Sequence, residues 1–428
     1  MGRTKRKRTR ASKTQNLSLN SDLSIINLRK WMTKNDWTDP LHLHLRIFPH
    51  TGRGLTAKKS VKRNETLIRI PLDLLVTYET IEKSSLLDTL EENEYTMHEL
   101  LSLFLAVEKH KGKGSAYKCY IMSLPDPEPI LPWLNPLEKI SALPDDLKIT
   151  AHKLRNNFLE SFAKMRRSII PTCLCQCCKK PLLCVIKENL FRWAYVLVNT
   201  RAVYVDPQLF KSLNTFKLSN APSMALCPFL DMLNHDHLAE TDVMIYKQQG
   251  RLFYELVTLK SYEKYEQIFI PYGAHSNEKL LMEYGFFLPD NHFDCVRFDI
   301  KEVLQICSFR LNESQYKYLK KHGFDSADIY INHAGCSFNL NAIIYVALNA
   351  GDKNISNVIF GDSYTPEFIV SSNSYRETLL KVKLRTFEDD FEKYTLVTDQ
   401  DNTLTCAFLK YRVTYVRNLR INLEQNIL

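Results

Sequence analysis

Two short segments in the middle of the chain constrain its fold most strongly, because each is an apolar run that ends in polar residues. Residues 225–235 end in Asn234 and His235, and residues 268–273 end in Tyr272 and a glycine. Burial of the apolar parts would bring the polar ends to the rim of a core, where they need hydrogen-bond partners or a ligand. The sequence therefore predicts a ligand site around these two ends.

The second of these segments predicts a strand followed by a helix. Ile268, Phe269 and Ile270 favour a short buried strand, and a glycine at position 273 permits a sharp turn after it. Ser276 is a suitable helix N-cap, and Gly285 is a natural C-terminal stop. The polar end at Tyr272 thus lies between a strand and a helix.

Apolar periodicity predicts several other elements. Apolar residues at helical spacing from residue 97 to residue 105 predict a helix that ends at Gly112. Alternation over residues 243–258 around Gln249 and Gly250 predicts a β-hairpin. Apolar faces within residues 380–391 and 404–419 predict a helical C-terminal region.

An arginine is predicted to point inward from the helix near residues 187–201. The apolar stripe of that helix consists of Leu190, Trp193, Ala194, Leu197 and Val198. Arg201 is the next position on the same face. A buried guanidinium needs a carboxylate, which either a ligand or a residue of the protein such as Asp231 could supply. Both alternatives remain open from the residues alone.

Near the start of the chain, Gly52, Arg53 and Gly54 form a glycine-rich segment between predicted strands. The absence of side chains at the two glycines allows the backbone to approach a ligand closely. The alternative is an ordinary hairpin turn.

Taken together, these motifs resemble the SET domain, and specifically the Rubisco large-subunit methyltransferase class. The matching segments, in chain order, are Thr51 to Leu55, Asn199 to Ala202, Asn234 with His235, Tyr272 with Gly273, and Tyr284 to Phe286. The resemblance implies an α+β fold in which residues 45–290 form a SET domain of small β-sheets with a helical insertion at about 84–215. Residues 296–428 would form an all-α substrate-binding domain.

The resemblance also implies an activity and a set of site residues. The class transfers a methyl group from S-adenosylmethionine to a protein lysine, and Tyr272 would be the catalytic residue. Arg201 would hold the cofactor's carboxylate, and Tyr284 and Phe286 would supply aromatic walls. The residues implied to bind the cofactor are Gly52, Arg53, Gly54, Arg201, Asp231, Asn234, His235, Tyr272, Tyr284 and Phe286.

Two other functions are considered beside lysine methylation. Members of the class that methylate histidine carry an asparagine two residues after the arginine that matches Arg201, whereas this chain has Val203. A catalytically inactive binding module is the second alternative. The sequence departs from the usual pattern at Pro271 and Asp236, neither of which has an implied chemical role. The substrate, histone or non-histone, is not specified.

The charge is concentrated in an N-terminal tail. Of the net charge of +9, seven positive charges come from basic residues between Arg3 and Lys13, which leaves +2 for the rest. This distribution argues against a nucleic-acid-binding face beyond the tail. Residues 1–20 are expected to be disordered, and the tail suits a nuclear address, with the protein in nucleus and cytoplasm. No apolar run approaches the ~20 residues of a membrane helix.

The chain has 11 cysteines, and five of them are crowded into one segment: Cys173, Cys175, Cys177, Cys178 and Cys184. Cys175 and Cys178 have the spacing of zinc ligands, but no second matching pair exists. A metal site would require irregular geometry or a distant ligand. This cysteine pattern therefore predicts free thiols and no metal.

Overall fold

The computed structural model describes residues 17–19, 21–210, 213, 215, 217–325, 328–351, 354–361, 363–397 and 404–425. The described residues fall into two compact units. The first lies within Met1–Pro129 and Asn156–Gly273, and the second lies within Ile130–Arg155 and Ala274–Leu428. The predicted domain limits at residues 290 and 296 stay predictions.

The strands are short, and most of them lie in the first unit. In chain order they are β1 Leu17–Ser18, β2 His44–Phe48, β3 Gly52–Thr56, β4 Thr66–Pro71, β5 Ala202–Tyr204, β6 Met224–Leu226, β7 Asn234–His235, β8 Thr241–Gln248, β9 Arg251–Thr258, β10 Gln267–Ile270, β11 Val296–Arg297, β12 Tyr330–Asn332 and β13 Gly335–Cys336. They form sheets with the orders β1-β2-β3-β10-β7, β4-β9-β8, β5-β6 and β11-β12-β13. The hairpin predicted around Gln249 and Gly250 is confirmed as β8 and β9.

Strand β10, which precedes Tyr272, lies between β3 with its glycine-rich segment and β7 with Asn234 and His235. It pairs antiparallel with β3, with Ile268 opposite Leu55, and parallel with β7, with Phe269 opposite Asn234. Ile268 and Leu55 are both fully buried, which explains why this register is stable. Pro271 follows the strand rather than interrupting it, so its missing N–H removes no bond of the ladder.

The helices, in chain order, are α1 Leu23–Lys34, α2 Tyr78–Lys83, α3 Met97–Lys111, α4 Lys118–Ile121, α5 Leu137–Ser141, α6 Asp145–Ser168, α7 Leu182–Val185, α8 Glu188–Arg201, α9 Asn277–Lys279, α10 Ile300–Ile306, α11 Glu313–Lys321, α12 Phe338–Leu348, α13 Ile355–Phe360, α14 Pro366–Val397 and α15 Leu404–Glu424. Helix α3 begins with a capping box between Thr96 and Glu99 and ends before Gly112, as predicted. It packs against α8, and both helices belong to the first unit.

The second unit has its own apolar core. The buried residues of this core include Val303, Leu319 and Ile343, together with Leu380 on α14 and Val416 on α15. The two long C-terminal helices α14 and α15 pack against each other. Their burial confirms the helical character that the sequence predicts for the C-terminal region.

The structure confirms the α+β fold class and corrects two details. Leu17 and Ser18, in the tail predicted to be disordered, form β1 and pair with Ile47 and Arg46. The rest of that tail, residues 1–16 and 20, lies outside the described residues. The region predicted to be all-α also contains the small sheet β11-β12-β13, because its three strands are too short to give a clear alternating pattern.

No helix within the described ranges is both long and apolar enough to cross a membrane.

Candidate active site

The glycine-rich strand β3 packs against two amide side chains, those of Asn234 and Gln267. The Asn234 side-chain amide donates hydrogen bonds to the carbonyl oxygens of Arg53 at 2.8 Å and Thr51 at 3.3 Å. A Cβ atom on Gly54 would lie 2.4 Å from Gln267 Nε2 and 2.8 Å from Asn234 Nδ2. Only glycine fits here without displacing both amides. The Thr51 hydroxyl fixes Gln267 by donating to its Oε1 at 2.8 Å.

Tyr272 is anchored to the strand end that carries His235. Its hydroxyl donates to the main-chain carbonyl of Leu233 at 2.8 Å, and its backbone N–H donates to His235 Nδ1 at 3.0 Å. The two rings stack with their centroids 5.1 Å apart. Because Nδ1 accepts a hydrogen bond, the neutral His235 ring carries its proton on Nε2. Tyr272 and His235 therefore orient each other.

Arg201 ends α8 and points inward as predicted. Its Nη1 donates to the Asp231 carbonyl oxygen at 2.7 Å and lies 3.5 Å from the Asp231 carboxylate. The Tyr120 hydroxyl donates to the same carboxylate at 2.9 Å. Of the two alternatives left open by the sequence, the structure contains the internal ion pair with Asp231.

Burial and neighbouring groups both shift the pKa values of the charged residues in this cluster. Burial raises the pKa of Asp231, while Arg201, Tyr120 and Arg53 oppose that rise. Burial also lowers the pKa of Arg53, and the positive charge of Arg201 lowers it further. Two guanidinium groups thus face one buried carboxylate. The cluster has an excess of positive charge, which favours an anionic group nearby.

Two buried atoms of the cluster retain unused hydrogen-bonding capacity. Asp231 Oδ1 and Arg201 Nε have no hydrogen-bond partner among the residues that the structure describes. Such atoms are costly to leave unsatisfied, so a ligand or water is expected to complete the cluster.

The backbone turn before Asp231 is strained. Phe229 is fully buried and has a φ of 72°, a value that non-glycine residues rarely adopt. It caps a short 3₁₀ helix, Leu230–Met232, which contains Asp231. A backbone of this kind persists only where the surrounding packing enforces it, and such positions cluster at functional sites.

Tyr284 and Phe286 belong to the second unit. Tyr284 ends a π-helical turn, Leu280–Tyr284, which follows α9, and Gly285 closes it with a φ of 80°. The Tyr284 ring stacks on His275 with centroids 5.9 Å apart and meets Phe286 edge-on at 6.3 Å. Burial raises the pKa of Tyr284 to about 12, so its hydroxyl stays protonated at neutral pH. Their role as aromatic walls stays a prediction.

Most of the predicted site residues lie around β3, β10 and β7: Gly52, Arg53, Gly54, Asn234, His235 and Tyr272. Arg201 and Asp231 interact electrostatically with Arg53, since the charges of both affect its pKa. Their assignment as cofactor contacts stays a prediction.

Two residues of this site, Gln267 and Tyr120, are not predicted from the sequence. The sequence contains one signal that could have identified Gln267, since it is the polar first residue of an otherwise apolar strand. Tyr120 had none, because its partner Asp231 is 111 residues away.

Comparison with known proteins identifies a family. The SET domain model matches residues 52–273. The chain is 32% identical over 326 residues to "SET domain-containing protein 4" of Mus musculus, with 75% of this chain and 72% of that protein covered. Among solved structures, the SET domain of LSMT bound to lysine and AdoHcy is similar, with a TM-score of 0.61 at 16% identity, covering 94% of this chain and 91% of that chain.

More distant relatives include enzymes with different acceptors. The ribosomal lysine N-methyltransferase set11 of Schizosaccharomyces pombe is 24% identical over 66% of this chain and 64% of its own length. An actin-histidine N-methyltransferase of Rattus norvegicus is 25% identical over 94% of this chain and 66% of its own length.

Proposed function

This chain belongs to the SET-domain family, and we propose that it is an S-adenosylmethionine-dependent protein-lysine N-methyltransferase. The observation that carries the proposal is the arrangement around Tyr272, which lies two residues after the end of β10. The hydroxyl of Tyr272 and its backbone N–H are both bonded to the strand end at Leu233 and His235. A residue held both at its backbone and at its hydroxyl is suited to orienting a reacting group.

The residues present fit the proposed cofactor. The positive charge shared by Arg53 and Arg201 suits the carboxylate of an amino-acid moiety, and the unsatisfied Arg201 Nε supports the same role. The Asn234 side chain donates a hydrogen bond to the backbone carbonyl of Arg53. The close packing at Gly54 leaves no room for a side chain at that position. When bound, S-adenosylmethionine supplies an electrophilic methyl group. We assign the cofactor contacts to Gly52, Arg53, Gly54, Arg201, Asp231, Asn234, His235, Tyr272, Tyr284 and Phe286.

The acceptor amine must be neutral in order to attack. A lysine amine has an ordinary pKa of about 10.4, so it is protonated in water at neutral pH. Apolar and aromatic surroundings disfavour the charged form. We assign to the Tyr272 hydroxyl the task of orienting this amine, and to the aromatic side chains that of disfavouring its protonation.

Lysine is favoured over histidine as the acceptor by the residue at position 203. Val203 lies in the middle of β5, opposite Ala225. It offers no amide where the histidine-modifying members of the class are expected to carry one. A catalytically inactive module is disfavoured, since Tyr272 and the residues that hold it are all present.

We further propose that the protein acts in both nucleus and cytoplasm, with histones among its candidate substrates. The basic residues between Arg3 and Lys13 support the nuclear part of this proposal. Deletion of residues 1–20 from a fluorescently tagged chain is expected to shift the protein to the cytoplasm. An unchanged distribution would contradict the nuclear address.

The proposed activity can be tested with radiolabelled S-adenosylmethionine and fractionated cell extract. The wild-type chain is expected to label a protein band, and its thermal transition is expected to rise with the cofactor present. At a hundredfold excess of cofactor over its dissociation constant, binding adds about 2.7 kcal/mol to the free energy of unfolding. A chain that binds cofactor but labels no protein would support the inactive module, and an unshifted transition at millimolar cofactor would contradict the proposal.

A further inference from the structure

Four potential metal ligands converge in the first unit, and none of them is a residue assigned to methyl transfer. They are His110 near the end of α3 and Cys175, Cys177 and Cys178 of the segment before α7, and their ligand atoms all lie within 4.8 Å of one another. His110 Nε2 is 3.3 Å from Cys178 Sγ, and the sulfurs of Cys175 and Cys177 are also 3.3 Å apart. Every ligand atom is therefore close to the other three.

These distances match a tetrahedral zinc site. With Zn–S bonds of about 2.3 Å and a Zn–N bond of about 2.0 Å, tetrahedral ligand atoms lie about 3.5–3.8 Å apart. The observed separations, from 3.3 Å to at most 4.8 Å, bracket that range. Three thiolates and one imidazole form a ligand set typical of structural zinc, and they are too soft for magnesium or calcium.

The backbone of the cysteine segment is folded as a tight loop around Cys175. The Cys175 N–H donates to the Lys180 carbonyl at 2.8 Å, and the Lys179 N–H donates back to the Cys175 carbonyl at 2.9 Å. Lys179 has a φ of 58°, which closes the turn. The backbone N–H groups of Cys177 and Cys178 are in hydrogen-bonding position to the Cys175 sulfur. Such bonds to a ligating sulfur hold it in place and are typical of the surroundings of metal ligands.

The spacing of the cysteines alone predicts no metal site, because the pair Cys175 and Cys178 has no second matching pair. The structure removes that objection. Cys177 supplies a third sulfur from within the loop, and His110 supplies a ligand 65 or more residues away in the chain. A distant single histidine leaves no spacing pattern in the sequence, so only the fold could identify it.

We propose that His110, Cys175, Cys177 and Cys178 form a structural Zn²⁺ site that fastens the loop before α7 to the end of α3. Binding releases the three thiol protons to solvent, and three thiolates with one Zn²⁺ leave a net charge of −1. Lys179 and Lys180 follow directly in the chain and supply compensating positive charge. Four protein ligands leave no open coordination position, so the ion has a structural rather than a catalytic role.

Zinc content of the purified full-length chain tests this proposal. After dialysis against metal-free buffer, the wild type is expected to retain stoichiometric zinc by mass spectrometry. Cys175→Ser and His110→Ala are expected to weaken zinc binding by more than about tenfold in competition with a chromophoric chelator. Cys184→Ser is the matched control, because Cys184 is an exposed cysteine close by in the chain and outside the cluster. It is expected to keep its zinc.

A spectroscopic measurement on the wild type tests the proposal even if a variant fails to fold. Replacing the ion in the wild type with Co²⁺ is expected to produce a thiolate-to-metal charge-transfer band and the intense visible bands of tetrahedral Co²⁺. Absence of both bands after Co²⁺ is added to the folded, reduced, metal-free chain would overturn the proposal. A disulfide between Cys175 and Cys177 in the freshly purified, zinc-free protein would overturn it as well. If both Cys175→Ser and His110→Ala keep their zinc unchanged, the ion binds at another site and the proposal is wrong.

Discussion

The hydroxyl of Tyr272 donates a hydrogen bond to the main-chain carbonyl of Leu233 at 2.8 Å. Tyr272→Phe removes this donor and keeps the ring that stacks on His235. Cofactor affinity is expected to remain near that of the wild type, while turnover falls on the order of a hundredfold or more, because a group used in the transition state affects kcat more than ground-state binding. Calorimetry for binding and single-turnover methyl transfer measure the two effects.

Tyr262→Phe is the matched control for this substitution. The Tyr262 hydroxyl also donates to a main-chain carbonyl, that of Phe269 on β10, at 3.2 Å. Loss of either bond should cost about 0.5–1.5 kcal/mol of stability, but only Tyr272→Phe should affect turnover strongly. Equal losses of turnover in the two variants would mean that the effect at Tyr272 is structural.

Local patterns in the sequence predict the secondary-structure elements of the site. They do not predict contacts between residues that are distant in the chain. The strand before Tyr272, the helix that ends at Arg201 and the hairpin at Gly250 follow from periodicity and turn chemistry, which are properties of neighbouring residues. The bond from Tyr120 to Asp231 depends on how distant segments pack, and no spacing rule encodes that packing.

Arg201 on α8 shows what a local pattern can and cannot predict. Helical periodicity correctly predicted that Arg201 points inward, but it could not distinguish a carboxylate of the protein from one of a ligand. The structure supplies Asp231 and also leaves Arg201 Nε without a partner among the described residues. Ion pair and ligand contact are therefore compatible, since the guanidinium has donors for both.

Gly54→Ala tests whether cofactor binding requires the absence of a side chain at this position of β3. The added Cβ would lie 2.4 Å from Gln267 Nε2 and 2.8 Å from Asn234 Nδ2, so both amides must move. Cofactor affinity is expected to fall by about tenfold or more, because Asn234 would lose its bond to the Arg53 carbonyl. Gly114→Ala, with nothing within 4 Å of its Cβ, is the control. Wild-type affinity in Gly54→Ala would contradict this account.

The pair Arg201 and Asp231 predicts a non-additive effect on stability. Arg201→Met leaves a buried carboxylate without its closest cation and should cost about 3 kcal/mol. Asp231→Asn removes the charge while retaining an acceptor for Tyr120, so the double variant should be more stable than the sum of the two single changes implies. Urea denaturation of all four proteins measures the coupling. Strictly additive changes would mean that the ion pair contributes nothing.

His98 on α3 predicts a stability that depends on pH. Burial lowers its pKa from 6.5 to about 4, and its Nε2 has no hydrogen-bond partner within the described part of the chain. The unfolded chain takes up a proton below pH 6.5 while the folded chain does not. The His98 contribution is thus complete above about pH 6.5 and is lost, by up to about 3 kcal/mol, as the pH falls towards 4.

His98→Gln checks this pH dependence, because glutamine does not titrate. Denaturation in urea between pH 7.5 and pH 4.5 should show a shallower decline for the variant than for the wild type. His50→Gln, at an exposed position, should keep the wild-type slope. Identical slopes for the wild type and His98→Gln would show that another group governs the acid response.

The identity of the methylated amino acid tests the central claim most directly. Protein from extract labelled by the wild-type chain with radioactive S-adenosylmethionine is hydrolysed, and the amino acids are separated against methylated standards. The label is expected in Nε-methylated lysine, with little or none in a parallel reaction with Tyr272→Phe. Label confined to methylhistidine, or equal labelling by Tyr272→Phe, would contradict a lysine methyltransferase that works through Tyr272.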